Sequence, residues 1–307
     1  MASYLQFPYR EARDGIWGEQ TSTLNWCEED YNITSYCAEF VNSITNSMFI
    51  WLGIRGIRDC IRYRHRPVFI IAFIGYIVVG LGSIAFHTTL KYSMQLADEL
   101  PMIYATCIIG HATFSYGKSP AASNIIGLGL FSLGLTITIV YHLTKQPVFH
   151  QVSFAGLTCA VVFRSMYDME KQLRPALRIR SPERADAIMS QMWKMCLSGI
   201  ALFLVGFLIW NLDNIFCNYL REWRSVLLLP WSIVLEGHAW WHIFTGLGQL
   251  THSYYFIVWR MWLHTCLEGK EHDFALRWTS ALTSIPRVLP ISSVEAAELT
   301  THKGRLD

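Results

Sequence analysis

The chain reads as an all-α, polytopic membrane protein: a bundle of seven transmembrane helices. Three observations predict this class. Of its 307 residues, 52% are hydrophobic and 16% are charged, whereas a soluble chain carries about 25% charged residues. The charges cluster between long uncharged runs, and those runs reach the roughly 20 residues that a helix needs to cross a bilayer. A net charge of +2 gives no footing for a nucleic-acid binder.

The chain begins MASYLQFPYREARD. No basic stretch leads into an apolar one there, so residues 1–36 read as an N-terminal segment and not as a cleavable signal peptide. The first span, residues 37–57, is the weakest, because it holds Glu39, Asn42, Asn46 and Arg55. Residues 68–86 contain no charge at all, and further spans follow at 100–116, 124–143 and 148–167, the last carrying Arg164. Residues 195–212 are uncharged, and 225–259 carry only Glu236. The membrane domain is thus expected over residues 37–262. The remainder, 263–307, is polar, contains Pro286 and Pro290, and reads as a partly disordered tail.

Seven crossings place the termini on opposite sides. Loops on the C-terminal side hold eleven Lys and Arg residues, among them Arg58, Arg62, Lys171 and Arg178, against four on the other side (Lys91, Lys145, Arg221 and Arg224). The positive-inside bias makes the C-terminus cytosolic and the N-terminus luminal. Of eight cysteines, half fall within spans, and Cys60 and Cys266 face the reducing cytosol. Cys27 and Cys217 both face the lumen, where a bridge between them is permitted. Asn32-Ile33-Thr34 is a glycosylation sequon on that side, close enough to the membrane that low occupancy is expected.

Ionisable groups inside spans are costly and point to function. His87 ends the second span in GLGSIAFHTTLKY, and His238 and His242 stand in the last span in LEGHAWWHIFTG. A spacing of four puts His238 and His242 on one helical face, as in sites where two imidazoles share a zinc ion. The topology brings His87, Asp98, His238 and His242 into the luminal half. A third histidine plus an open position is what catalytic zinc requires; bis-histidine haem is the competing reading. Ser83, four residues before His87, either steadies an oxyanion or back-bonds to its own helix. Of the neighbours Asp98 and Glu99, about 100° apart on the helix, only one can face a metal. Before the first span, Asn25, Trp26, Glu28, Glu29 and Asp30, followed by Glu39 just inside it, crowd oxygen donors together. They suit a calcium ion or complement a helix dipole.

The stretches TSTLNWCEEDY, GSIAFHTTLKYSMQLADELPMIY, WNLDNIFC and GHAWWHIFTGLG resemble the alkaline ceramidases over about residues 15–262. These are seven-helix membrane zinc hydrolases related to the adiponectin receptors. The resemblance implies an amidohydrolase that cleaves ceramide, or its dihydro or phyto form, to a sphingoid base and a fatty acid. It implies zinc on His87, His238 and His242, with Ser83 beside the metal and Asp98 as the acid that activates water. It further implies structural or regulatory calcium on Asn25, Trp26 (through its carbonyl), Glu28, Asp30 and Glu39, and a Cys27–Cys217 disulfide. Asn25 stands where the family commonly has Asp, and Asp30 where it has Asn, so the summed charge is kept. The implied setting is the endoplasmic reticulum or Golgi, with membrane lipids as partners and no obligate protein partner. A receptor like the adiponectin receptors is the alternative from another class.

Overall fold

A computed structural model describes residues 6–248, 250–278 and 285–292. After the N-terminal segment come α1 (Phe40–Thr45), α2 (Ser47–Arg62), α3 (Pro67–Thr89), α4 (Tyr92–Phe114), α5 (Pro120–Thr144) and α6 (Pro147–Asp168). A π-helical turn then leads into α7 (Arg174–Arg180), α8 (Pro182–Ile215), α9 (Cys217–Leu227), α10 (Gly237–Leu247) and α11 (Tyr254–Leu267). The chain closes with a hairpin of β1 (Phe274–Trp278) and β2 (Pro286–Pro290). The described residues are predominantly helical.

Proline sets several of these starts. α3, α5, α6 and α8 each carry Pro in the first turn, where its fixed φ suits a helix and its missing N–H is not needed. At α5 the Ser119 hydroxyl also accepts from the Ala122 amide, satisfying one orphan donor.

Among the described residues, three helices are long and apolar enough to cross a membrane: α3, α5 and α8, of 23, 25 and 34 residues. On α5 the outward side chains Ile125, Leu128, Phe131 and Leu143 are 66–76% exposed, the face of a helix bathed by lipid rather than water. These apolar helices mark a membrane protein. The other expected spans depart from single apolar rods. The first breaks at Asn46 into α1 and α2, and the last into α10, non-helical residues at 248 and 250–253, and α11. α4 runs 23 residues but carries Gln95, Asp98 and Glu99.

α11 is buried on every side from Tyr254 to Cys266, as expected of a helix at the centre of a bundle. α3 packs on α2 and α4, and α10 packs on α8. Part of the segment expected as a partly disordered tail is among the described residues. Residues 263–267 complete α11, and the hairpin pairs Leu276 with Val288, both buried. Arg287 clamps Asp59 of α2 through both nitrogens of its fork, Nε to Oδ2 at 2.7 Å. His65 Nε2 meets the Val288 carbonyl at 3.1 Å. Hydropathy averages the tail as polar, yet its alternate apolar side chains find a core to cover. Residues 279–284 and 293–307 lie outside the described residues.

Candidate active site

α3 brings Ser83 and His87 to its C-terminal end, and α10 brings His238 and His242 on its first turns. The close approach of α3 to α4 adds Asp98, and two residues make it feasible. Pro101 lies inside α4 and has no N–H to offer the Ala97 carbonyl one turn back. Gly82 faces that carbonyl so closely that a Cβ would sit 1.9 Å from it. The helices meet there, and the Ser83 hydroxyl and the Asp98 carboxyl come together across the seam on one cavity wall.

His87, His238 and His242 are all buried, with one ring nitrogen of each lying within 4.8 Å of the others. Their ring centroids are 4.6–5.2 Å apart. Each ring is held by neighbours. His87 Nδ1 pairs with Glu39 Oε2, and its Nε2 is buried without a partner among the described residues. His242 Nδ1 meets Thr45 Oγ1 at 3.1 Å and Asn46 Nδ2 at 3.2 Å. His238 stacks on Trp26 with centroids 4.2 Å apart, and its Nδ1 is also buried and unpartnered. Converging imidazoles with orphaned nitrogens, two of them anchored from behind, have the donor chemistry that zinc takes. Haem is a poor fit, because three imidazoles meeting at one point leave no plane for a macrocycle.

A cavity of about 340 Å³ adjoins this cluster, bounded by Ser83, Asp98, His238 and His242 and by apolar side chains including Phe154 and Phe203. Glu99 also borders it but is claimed by other partners. It accepts from Gln95 Nε2 at 3.1 Å and from the Tyr141 hydroxyl, and His150 Nδ1 lies 3.7 Å off. Of the two neighbouring acids, Asp98 is therefore the one beside Ser83.

The acidic loop is partly engaged. Glu28 accepts from the Val41 and Asn42 amides at 2.7 and 2.9 Å, capping α1. Burial, and then the neighbouring Glu236 and Glu39 carboxylates, push the Glu28 carboxyl well above its usual range. Asp30 Oδ2 accepts from Asn25 Nδ2 at 3.0 Å, while its Oδ1 is buried without a partner. Glu39 Oε1 takes the Trp26 amide at 3.0 Å, so one carboxylate joins this loop to His87. Glu29 faces elsewhere, toward Tyr9, Arg221 and Arg224. Cys27 and Cys217 form a disulfide, Cα atoms 5.4 Å apart. Asn32 of the sequon is buried, and its Oδ1 accepts from the Arg10 amide at 2.9 Å.

Residue patterns alone missed the partners Thr45 and Asn46 of His242. They also missed Trp26 as a ring stacked on His238, and Arg224 as a buried strut. The polar Asn42 and Asn46 within an apolar span were the available signal.

The match that decides the family covers residues 18–289, against a family model described as Ceramidase. The chain belongs to the ceramidase family. It is 41% identical to mouse (Mus musculus) alkaline ceramidase 3 over 78% of this chain and 84% of that protein. It is 36% identical to alkaline ceramidase YPC1 of Saccharomyces cerevisiae over 80% and 77%. It is also 28% identical to an alkaline ceramidase of Arabidopsis thaliana over 77% and 84%.

Proposed function

We propose that this ceramidase-family chain is a zinc-dependent amidohydrolase that cleaves ceramide, or its dihydro or phyto form, to a sphingoid base and a fatty acid. The observation that carries the reading is the buried meeting of His87, His238 and His242 beside the Ser83–Asp98 pair, on the rim of an apolar cavity. A receptor would not need that pair next to a metal.

His87, His238 and His242 would hold the zinc, which would supply Lewis acidity toward the amide carbonyl and toward a water. Asp98 orients the attacking water and takes its proton. Ser83 donates its hydroxyl to the oxygen that gains charge as the carbonyl carbon becomes tetrahedral. Asp98 then returns the proton to the leaving amine nitrogen, so that the C–N bond breaks to acid and free base. Phe154, Phe203 and their neighbours shelter the hydrocarbon chains from water.

Asn25, the Trp26 carbonyl, Glu28, Asp30 and Glu39 would hold calcium. The orphaned Asp30 Oδ1 and the crowded carboxyl of Glu28 support that reading. The two amides on Glu28 support the helix-capping role as well, and one carboxylate can serve both. We further propose seven crossings, with the first and last interrupted, the N-terminus luminal and the C-terminus cytosolic, in the endoplasmic reticulum or Golgi.

Metal analysis of the purified protein, run with hydrolysis of a ceramide panel, tests the proposal. Zinc is expected near one per chain, with free fatty acid released. His87→Ala should lose both; retained turnover in that variant would overturn the reading. Chelating calcium should lower turnover gradually, and an indifferent enzyme would leave the acidic loop as a helix cap.

A further inference from the structure

A second cleft, of about 530 Å³, opens between α2 and the C-terminal hairpin. It lies away from the chemistry. From Asn46, which caps α2 and touches His242, to Arg62 the chain runs roughly 24 Å along the α2 axis. The cleft is lined by Arg55, Arg58 and Arg62 of α2 and by Arg287 of β2. Arg58 and Arg62 are exposed, one turn apart on the same face, and among the described residues neither has a carboxylate partner. Asp59 is the one acid in this lining, and Arg287 already neutralises it through Nε and Nη2 of its guanidinium. The cleft therefore keeps an excess of positive charge.

Its rim is apolar on the outward side. Trp51, Ile54 and Ile61 are 54%, 50% and 64% exposed, and the Arg55 guanidinium lies over the Trp51 ring at 5.8 Å. A small soluble anion needs no such collar. Guanidinium forks match phosphate oxygens, exposed Trp is favoured at the membrane–water boundary, and branched apolar side chains suit acyl chains. We propose that this cleft binds the phosphate headgroup of an anionic phospholipid, with the lipid's chains lying against Trp51, Ile54 and Ile61. This inference stands apart from the proposed hydrolysis.

Native mass spectrometry of the full-length protein, released from nanodiscs of phosphatidylcholine with a minor fraction of phosphatidylinositol 4-phosphate, tests it. The wild-type protein should retain the anionic lipid. The double variant Arg58→Gln/Arg62→Gln should bind it about thirtyfold more weakly, the loss expected for two basic contacts to an anionic headgroup. Hydrolysis of ceramide in neutral detergent should stay unchanged in that variant, which shows it folded; the single Arg58→Gln serves if it does not. The control Lys171→Gln/Arg178→Gln removes equal charge from the same basic side and should retain the lipid. An equal loss in the control would overturn the proposal in favour of a diffuse positive surface. Displacement by inorganic phosphate, with Trp51→Ala/Ile61→Ala leaving lipid retention intact, would overturn it in favour of a free-phosphate site.

Discussion

Glu39 accepts from the Trp26 amide through one oxygen and pairs with the His87 ring through the other. A carboxylate behind a metal-binding imidazole fixes the ring's tautomer and raises its basicity, and its loss typically costs about 10–100-fold in metal affinity. Glu39→Gln should therefore weaken zinc retention by that order, read by competition with a graded chelator, while the chain stays folded. Wild-type retention in that variant would make the contact incidental. Asp98→Asn keeps the shape of the side chain but cannot take a proton. Turnover should fall by about 10²–10⁴-fold with zinc content unchanged, and a loss of zinc would instead make Asp98 a structural partner of the metal. The histidines His87, His238 and His242, which the fold brings together, were legible in the sequence, because ionisable groups in apolar runs stand out. The choice of Asp98 over Glu99 was not legible in the residues themselves and came only with the family resemblance, since a helical wheel shows that two neighbours diverge without showing which way each points. Gln95 and Tyr141 claim Glu99, and they reach it from α4 and α5.

The α3–α4 seam shows what periodicity leaves out. Gly82 and Pro101 read as ordinary residues of two apolar runs, yet they jointly permit the approach that sets Ser83 beside Asp98. Gly82→Ala would drive a Cβ into the Ala97 carbonyl, 1.9 Å away. Backbone cannot yield there as a flexible side chain would, so overpacking should cost about 1–3 kcal/mol or more. The expected outcome is a lower melting temperature in detergent, with turnover falling more steeply than zinc content. Unchanged turnover would remove the seam from the mechanism. The last span teaches the same lesson. Residues 225–259 form one nearly uncharged run, but Gly248 sits where a Cβ would be 2.9 Å from the Phe244 carbonyl, and the helix stops just before it. Hydropathy registers burial and cannot register a break inside a buried run.

One buried side chain joins parts of the molecule that are distant in sequence. Arg224 of α9 reaches Glu29 at 3.4 Å, Asp213 at 3.3 Å and Glu236 at 3.1 Å, and donates to the Cys27 carbonyl at 2.8 Å. It thereby ties the N-terminal segment to the end of α8 and the approach to α10, alongside the Cys27–Cys217 disulfide. Arg224→Met leaves those carboxylates buried without their cation, a loss of about 3–5 kcal/mol. Thermal unfolding should show a marked drop, and a melting temperature equal to wild type would assign the anchoring to the disulfide. From sequence, Arg224 counted only as one loop charge among four, since a charge count cannot tell a solvated arginine from one enclosed by acids. Composition and charge placement were enough for a helical membrane protein, and the four-residue spacing was enough for a histidine pair, because burial cost and helix pitch act locally along the chain. Contacts between residues distant in sequence, such as Glu39 with His87, Trp26 with His238 and Arg287 with Asp59, were settled by packing. Their partners approach only after the helices have docked, and no local pattern encodes which faces will meet.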